Sequence, residues 1–293
     1  MTRPYVRTRL SVYIGIALHL FLPCWILIEL SSHAVGPVNF AVPAVVLLPF
    51  LLIGRWDLIG YGLQYVFLLA LLVVAYRHGG WLWPLLCAMF LVALWFYFRR
   101  IRNRPALEFE FPLRGGTFYV AHGGSSRLVN YHGISSRSQR FAVDIVKLHR
   151  WGTRAAGIYP SRLAAYAVFG QVVYSPCAGV VTNAIHDLPD LKPGEMDRKN
   201  AAGNCVLIRA EGTDVHVLLA HLLQGSVLVK AGDHLSAGQP LAQVGNSGNS
   251  SEPHLHIHAQ HARQPETASE WDGVPMRFRG RWLVRNDLVR GEL

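Results

Sequence analysis

Acidic residues are scarce in this chain, and charge of either sign is scarce in its first third. The 293 residues hold 18 Asp and Glu against 28 Lys and Arg, a formal net charge of +10. Such an excess favours anionic lipid head groups or an anionic polymer as partners. Nucleic acid has no support, because no nucleic-acid-binding motif is present. Cysteine is scarce as well, with Cys24 and Cys87 in apolar stretches and Cys177 and Cys205 farther on. The absence of any CxxC pair excludes a zinc ribbon or a thioredoxin-type motif. Cys177 and Cys205 are open to two readings, a disulfide or two buried thiols. No small-residue cleavage site follows Leu30, so a cleavable signal peptide does not fit. A solenoid period and a long, well-capped amphipathic helix are also missing.

Apolar runs are abundant. Leu10 to Ile28, Leu58 to Tyr76 and Trp81 to Phe98 carry no formal charge and approach the ~20 residues of a spanning helix. Phe40 to Gly54 is shorter and is interrupted by Pro43 and Pro49. Buried helices of a water-soluble core would show a polar face, which these runs lack. Residues 1–104 are therefore expected to form all-α transmembrane helices, a multi-span anchor in a lipid bilayer. Its basic flanks are Arg3, Arg7 and Arg9 at the start and "RRIRNR" at Arg99 to Arg104. By the positive-inside tendency these flanks suit four spans with both ends in the cytoplasm. Three spans would put the rest of the chain outside.

From Leu107 onward the texture changes to short runs rich in Val, Leu, Ile and aromatics, separated by Gly, Asn, Asp, Ser or Pro. These read as strands, and residues 105–293 as a mainly-β, barrel-sandwich-like domain. The polar segment Asp187 to Asn204 is a long loop of the kind that borders sites.

Within this part "EPHLHIHAQH" places His254, His256 and His258 at every second position. In a strand these side chains share one face. Two further ionisable residues sit in apolar strands, Asp144 in "RFAVDIV" and His221 in "LLAHLL". A carboxylate there needs a partner or a metal. With His132, they make a candidate set for a hydrolytic zinc site, in which three protein ligands leave one position for water. His258 shares the face of the pair and reads as an outer-shell or solvated residue. His216, His234 and His261 read as solvated.

The segments "GNCVLI", "LLAHL" and "GSVLVKAGDHLSAGQPLAQVGNSGNSSEPHLHIH" resemble the lysostaphin-type, or LytM-type, family of zinc peptidases that cut peptidoglycan. The resemblance covers about residues 117–262. It implies a LytM-like β-sheet core and Zn2+ bound by a His, an Asp and the second His of the HxH pair. The last two map to Asp144 and His256, and the two non-ligand, catalytic histidines map to His221 and His254. The usual first ligand, four residues before the Asp, is here Arg140, which has no lone pair to give. Either His132 supplies the missing ligand, with His122 as a lesser substitute, or the domain is a catalytically inactive scaffold that binds cell wall or activates another hydrolase. A barrel-sandwich carrier domain lacks its lipoyl-type lysine hairpin here.

The resemblance thus implies a zinc metalloendopeptidase hydrolysing peptide bonds of peptidoglycan. Peptidoglycan lies outside the cytoplasmic membrane. The expected location is accordingly the bacterial inner membrane, with three true spans and the β domain on the periplasmic side.

Overall fold

The computed structural model describes residues 5–6, 9–32, 47–51, 54–79, 81–98, 105–262 and 271–292. The strands, in chain order, are β1 (Tyr5–Val6), β2 (Leu107–Phe109), β3 (Gly116–His122), β4 (Val143–Lys147), β5 (Val172–Tyr174), β6 (Gly179–Ile185), β7 (Glu195–Met196) and β8 (Asn204–Ala210). They continue with β9 (His216–Leu222), β10 (His234–Leu235), β11 (Pro240–Gln243), β12 (Leu255–Ala262), β13 (Trp271–Val274), β14 (Met276–Phe278) and β15 (Leu288–Gly291).

A nine-stranded sheet runs in the order β10-β6-β8-β9-β12-β4-β3-β15, with β13 also paired to β12. All of its pairings are antiparallel. Period-two alternation sorts its faces. On β12, Leu255, Ile257 and Ala259 are buried in one apolar cluster with Val143 and Ile145 of β4, Val217 and Leu219 of β9, and Val206 and Ile208 of β8. The same cluster takes in Phe109, Val173, Leu241 and Phe278, from the short pairs β14-β2 and β11-β5. These pairs cap the core side of the sheet, giving the sandwich-like, mainly-β architecture expected of this part. The opposite face carries the histidines.

The N-terminal expectation is overturned. No helix among the described residues is long and apolar enough to cross a membrane. Leu63–Gly79 and Leu82–Phe98 have 17 residues each. At 1.5 Å per residue they reach about 26 Å, short of the ~30 Å hydrocarbon core. The apolar run from Leu58 is longer than its helix because its first residues go into a 3-10 turn, Trp56–Leu58, and the connection after it. Arg9–Ser32 has 24 residues but includes Arg9, His19, Pro23 and Glu29. Apolar content that reads as lipid-facing goes partly into a small core of Ile26, Leu30, Leu47, Leu51, Trp56, Leu71 and Ala75. Leu94 packs against Val129 and Val284 of the β part. The outer faces leave Phe21, Trp25, Leu69, Trp81 and Met89 exposed. The multi-pass membrane location and the bilayer partner fall with the spans. Much of Phe40 to Gly54, and all of Arg99 to Arg104, lie outside the described residues.

Candidate metal centre and active site

Register builds the centre of the site. His256 on β12 lies directly opposite Asp144 on β4, and opposite Ala220 on β9. Directly paired residues share a face, so the Asp144 carboxylate stands beside the His256 imidazole, with Oδ1 2.8 Å from Nδ1. The other oxygen, Oδ2, lies 2.8 Å from His132 Nε2. His132 arrives from a loop that folds back over the sheet. Asn130, fully buried, pins that loop: its Nδ2 donates to Gly124 O at 2.8 Å and Ala142 O at 3.0 Å. Its Oδ1 accepts the His132 backbone N–H at 3.2 Å. One ligand atom each from His132, Asp144 and His256 lies within 4.8 Å of the other two.

His221 needs a distortion to join them. Ala220 faces the same side as His256, so in a regular strand His221 would face the core. Instead φ at His221 is +63°, and the β8-β9 register shifts between Asn204 and Val206. The bulge turns the imidazole to the site, where its ring centroid lies 4.8 Å from that of His254 and 5.8 Å from that of His256. A left-handed backbone at a histidine costs of order 1–3 kcal/mol and persists only where the surroundings enforce it. Here the His221 N–H donates to Ala202 O and its carbonyl accepts from Gly245 N–H, both at 2.9 Å. The histidines 221, 254 and 256 form a second close group, sharing His256 with the first.

Hydrogen bonds fix which ring nitrogens carry protons, because a carbonyl oxygen can only accept. His254 Nδ1–H donates to Glu252 O at 2.8 Å, and His221 Nδ1–H donates to Ser247 O at 2.9 Å. In both neutral rings Nε2 therefore holds the lone pair. For His254 that nitrogen is 3.7 Å from Asp144 Oδ1. On His256 the chain of donors runs the other way. Gln260 Oε1 takes the His258 Nε2–H at 3.2 Å, so His258 Nδ1 accepts from His256 Nε2–H at 2.9 Å. Neutral His256 is then left with a bare Nδ1 facing a carboxylate oxygen. Two acceptors at that distance need a proton or a cation between them. A His2Asp donor set arranged this way fits a divalent zinc ion.

The electrostatics agree. Burial would push the Asp144 carboxyl up, but His132 and then His254, with the hydrogen bond from His132, hold it well below the usual range. Burial lowers His132, yet the Asp144 charge outweighs it and the pKa is raised. Burial, then His254 and His256, keep His221 well below its ordinary value. Burial, then His256, holds His258 at about 3.

The loop from Asp187 to Asn204 packs along the "GNSGNSS" turn. Gly194 N donates to Ser251 O at 2.8 Å and Asp197 N to Gly248 O at 2.9 Å. The loop and the turn approach so closely that a Cβ on Gly203 would strike Ser247, and one on Gly248 would strike Gly203.

Five residues singled out in the sequence, His132, Asp144, His221, His254 and His256, thus come together on one face. Arg140 is exposed, its guanidinium 5.4 Å from the Phe141 ring centroid. His122 pairs with Asp144 across β3-β4, but its Nδ1 accepts from Arg285 Nη2 at 2.7 Å. His258, read as outer-shell or solvated, is 2% exposed and bonded on both nitrogens. His234 is exposed, while His216 and His261 are half-buried. Sequence reasoning missed Asn130 and Glu252. A polar residue just before a short turn was the available signal for Asn130, and proximity to His254 the one for Glu252.

Residues 163–267 match the family described as Peptidase family M23. That segment contains His221, His254 and His256, but neither His132 nor Asp144. No curated protein matches the chain. Among solved structures, a zinc-containing peptidase from Vibrio cholerae is 20% identical, with 53% of this chain and 37% of that chain covered and a TM-score of 0.32. A putative glycyl-glycine endopeptidase lytM from Ruminococcus gnavus is 17% identical, with coverages of 70% and 68% and a TM-score of 0.34. The catalytic domain of lysostaphin from Staphylococcus simulans is 22% identical, with coverages of 41% and 84% and a TM-score of 0.22. The chain thus spans little more than a third of the Vibrio cholerae chain's length. The resemblance to the lysostaphin-type peptidases read from the sequence stands on the family match.

Proposed function

We propose that this chain is a zinc metalloendopeptidase that hydrolyses peptide bonds of peptidoglycan, with His132, Asp144 and His256 as metal ligands and His221 and His254 as catalytic residues. One observation carries the reading. Asp144 stands between two imidazoles at 2.8 Å, one of which presents a bare nitrogen to it. The two-part organisation, residues 1–104 and 105–293, belongs to the same proposal. All five site residues lie in the second part.

When bound, zinc would bring the pKa of a coordinated water toward ~7 and polarise the scissile carbonyl. The protein's own groups move the protons. His254 Nε2 is the better placed base, 3.7 Å from Asp144 Oδ1, and it accepts the proton of the attacking water. The Nδ1–H bond to Glu252 O supports the positive charge that then develops. His221 Nε2 is also an acceptor in the resting state and, beside His254, orients that water. An acceptor nitrogen cannot steady an oxyanion until it carries a proton. Oxyanion stabilisation and then protonation of the leaving amine therefore fall to His254, once it has taken the water's proton.

The rival reading is a non-catalytic scaffold, favoured by Arg140 at the usual first-ligand position. Elemental analysis of the purified chain, beside His256→Ala, separates the two. One zinc per wild-type chain, its loss in the variant, and mass-spectrometric detection of cleaved peptidoglycan fragments are expected. A wild-type chain without zinc, and without cleavage when zinc is added, assigns the scaffold role instead.

A further inference from the structure

Two arginines and two carboxylates form a buried network beside the site. Arg55 donates to both oxygens of Asp57, Nε to Oδ1 at 2.7 Å and Nη2 to Oδ2 at 2.6 Å. The same Nη2 reaches Glu252 Oε1 at 3.3 Å. Arg154 holds the other Glu252 oxygen, with Nε and Nη2 at 2.9 and 2.8 Å. Asp57, Arg154 and Glu252 are 0%, 1% and 8% exposed. Ion pairs this deep are costly to assemble and bring little net stability, so their presence asks for another reason.

Position supplies one. Glu252 is the residue whose backbone carbonyl holds His254 Nδ1–H, and the same carbonyl accepts from Ser250 Oγ at 2.9 Å. Arg55 belongs to the helical N-terminal part, outside the segment that matches the peptidase family. Its place is fixed from two sides. Trp56, fully buried in the small helical core, donates Nε1–H to Leu51 O at 2.9 Å. Arg154 N–H donates to Asp57 O at 3.1 Å, and Tyr61 N–H to Gly152 O at 3.0 Å.

We propose that Arg55 is a positioning residue for His254: by clamping the Glu252 side chain it fixes the carbonyl that sets the His254 tautomer and aims Nε2 at the site. The helical part would then complete the catalytic face rather than merely adjoin it. Electrostatics supports the clamp. Burial alone would raise the Glu252 carboxyl, but Arg154 and then Arg55 hold it at about 2.

The inference rests on the catalytic assignment of His254, so its test needs a readout independent of turnover. In the full chain, Arg55→Ala is compared with wild type by nitrogen chemical shifts of the His254 ring, zinc stoichiometry, kcat and KM. The expected result is partial loss of the Nδ1–H tautomer and a kcat lower by about 10-fold or more, typical of a supporting-shell residue. KM should stay within about twofold and zinc should remain stoichiometric. Arg55→Ala with wild-type ring shifts and wild-type kcat overturns the inference. If wild type hydrolyses nothing, the proposed function fails, but the ring shifts still decide this point. If Arg55→Ala does not fold, Glu252→Gln, which keeps the side-chain shape, takes its place with the same two outcomes.

Discussion

Removing His132 separates a built metal centre from a chance cluster. Three protein donors converge here, one of them His132 Nε2, 2.8 Å from Asp144 Oδ2. Four-ligand zinc sites bind with apparent free energies of about 10–16 kcal/mol, roughly 3 kcal/mol per ligand. Loss of one donor should therefore weaken zinc by about 100-fold, at 1.4 kcal/mol per tenfold. The neighbours give graded controls. His122→Ala removes a ring 5.8 Å from that of His132, but one whose Nδ1 is engaged by Arg285. Zinc affinity in that variant should stay within about threefold. His258→Ala removes the acceptor that keeps His256 Nδ1 bare, and should cost about 10-fold, as outer-shell changes do. The assay is competition against a chelating dye, with melting temperature at fixed zinc as a second measure. A 100-fold loss of affinity at saturating metal removes about 2.7 kcal/mol of stabilisation. The reasoning is refuted if His132→Ala binds zinc like wild type, or if His122→Ala weakens it as much.

His221→Ala and His254→Ala should each lower hydrolysis by about 10²–10⁴-fold with zinc still stoichiometric; loss of zinc in either would contradict their place off the metal. Glu252, held at about 2 against an ordinary 4.5, should leave the fold about 3 kcal/mol more stable with this carboxyl ionised, at neutral pH, than with it protonated. Its folded pKa is depressed, so that stability is present above about 4.5 and is lost as pH falls toward 2. Urea titrations between those values should show a shallower acid loss in Glu252→Gln, and an unchanged slope would count against the clamp. Cys177 and Cys205 are unpaired, and burial pushes both thiols up to about 11. Both should resist thiol reagents until the chain unfolds, and an intact-mass measurement showing two missing hydrogens would contradict this.

The β part was legible because burial writes a period of two into it. "HLHIH" puts Leu255 and Ile257 on one face and three imidazoles on the other, and the structure sorts them so. Asp144 announced itself as a carboxylate in an apolar strand. The helical part misled for a related reason. Run length in sequence overstates helix length when turn residues such as Leu58 and Ile59 are themselves apolar, and a run without a polar face can still be buried against other helices. The clamp around Glu252 left no local trace. Its partners are 98 and 197 residues away, and no spacing rule links an arginine in a helix connection to a glutamate before a strand.

The same burial that forms the core also sets the site. Asp144 opposes His256 while Ile145 opposes Leu255 and Val143 opposes Ile257. A slip of one residue would drive the imidazoles into the apolar cluster and expose Leu255 and Ile257, which are fully buried. At ~25 cal/mol per Å2 of apolar surface, exposing two such side chains costs about 3–6 kcal/mol before the buried imidazoles are counted. Register is therefore held by residues that never touch a substrate. His221 is the exception. Alternation alone would send it to the core, so its place depends on a bulge, a left-handed backbone and the loop that accepts its N–H at Ala202. Strands β4 and β12 are thus fixed by packing, whereas His221 is fixed by its backbone hydrogen bonds to Ala202 and from Gly245. Anything that lifts that loop should release the His221 strain and move this imidazole first, while Asp144 and His256 stay in register.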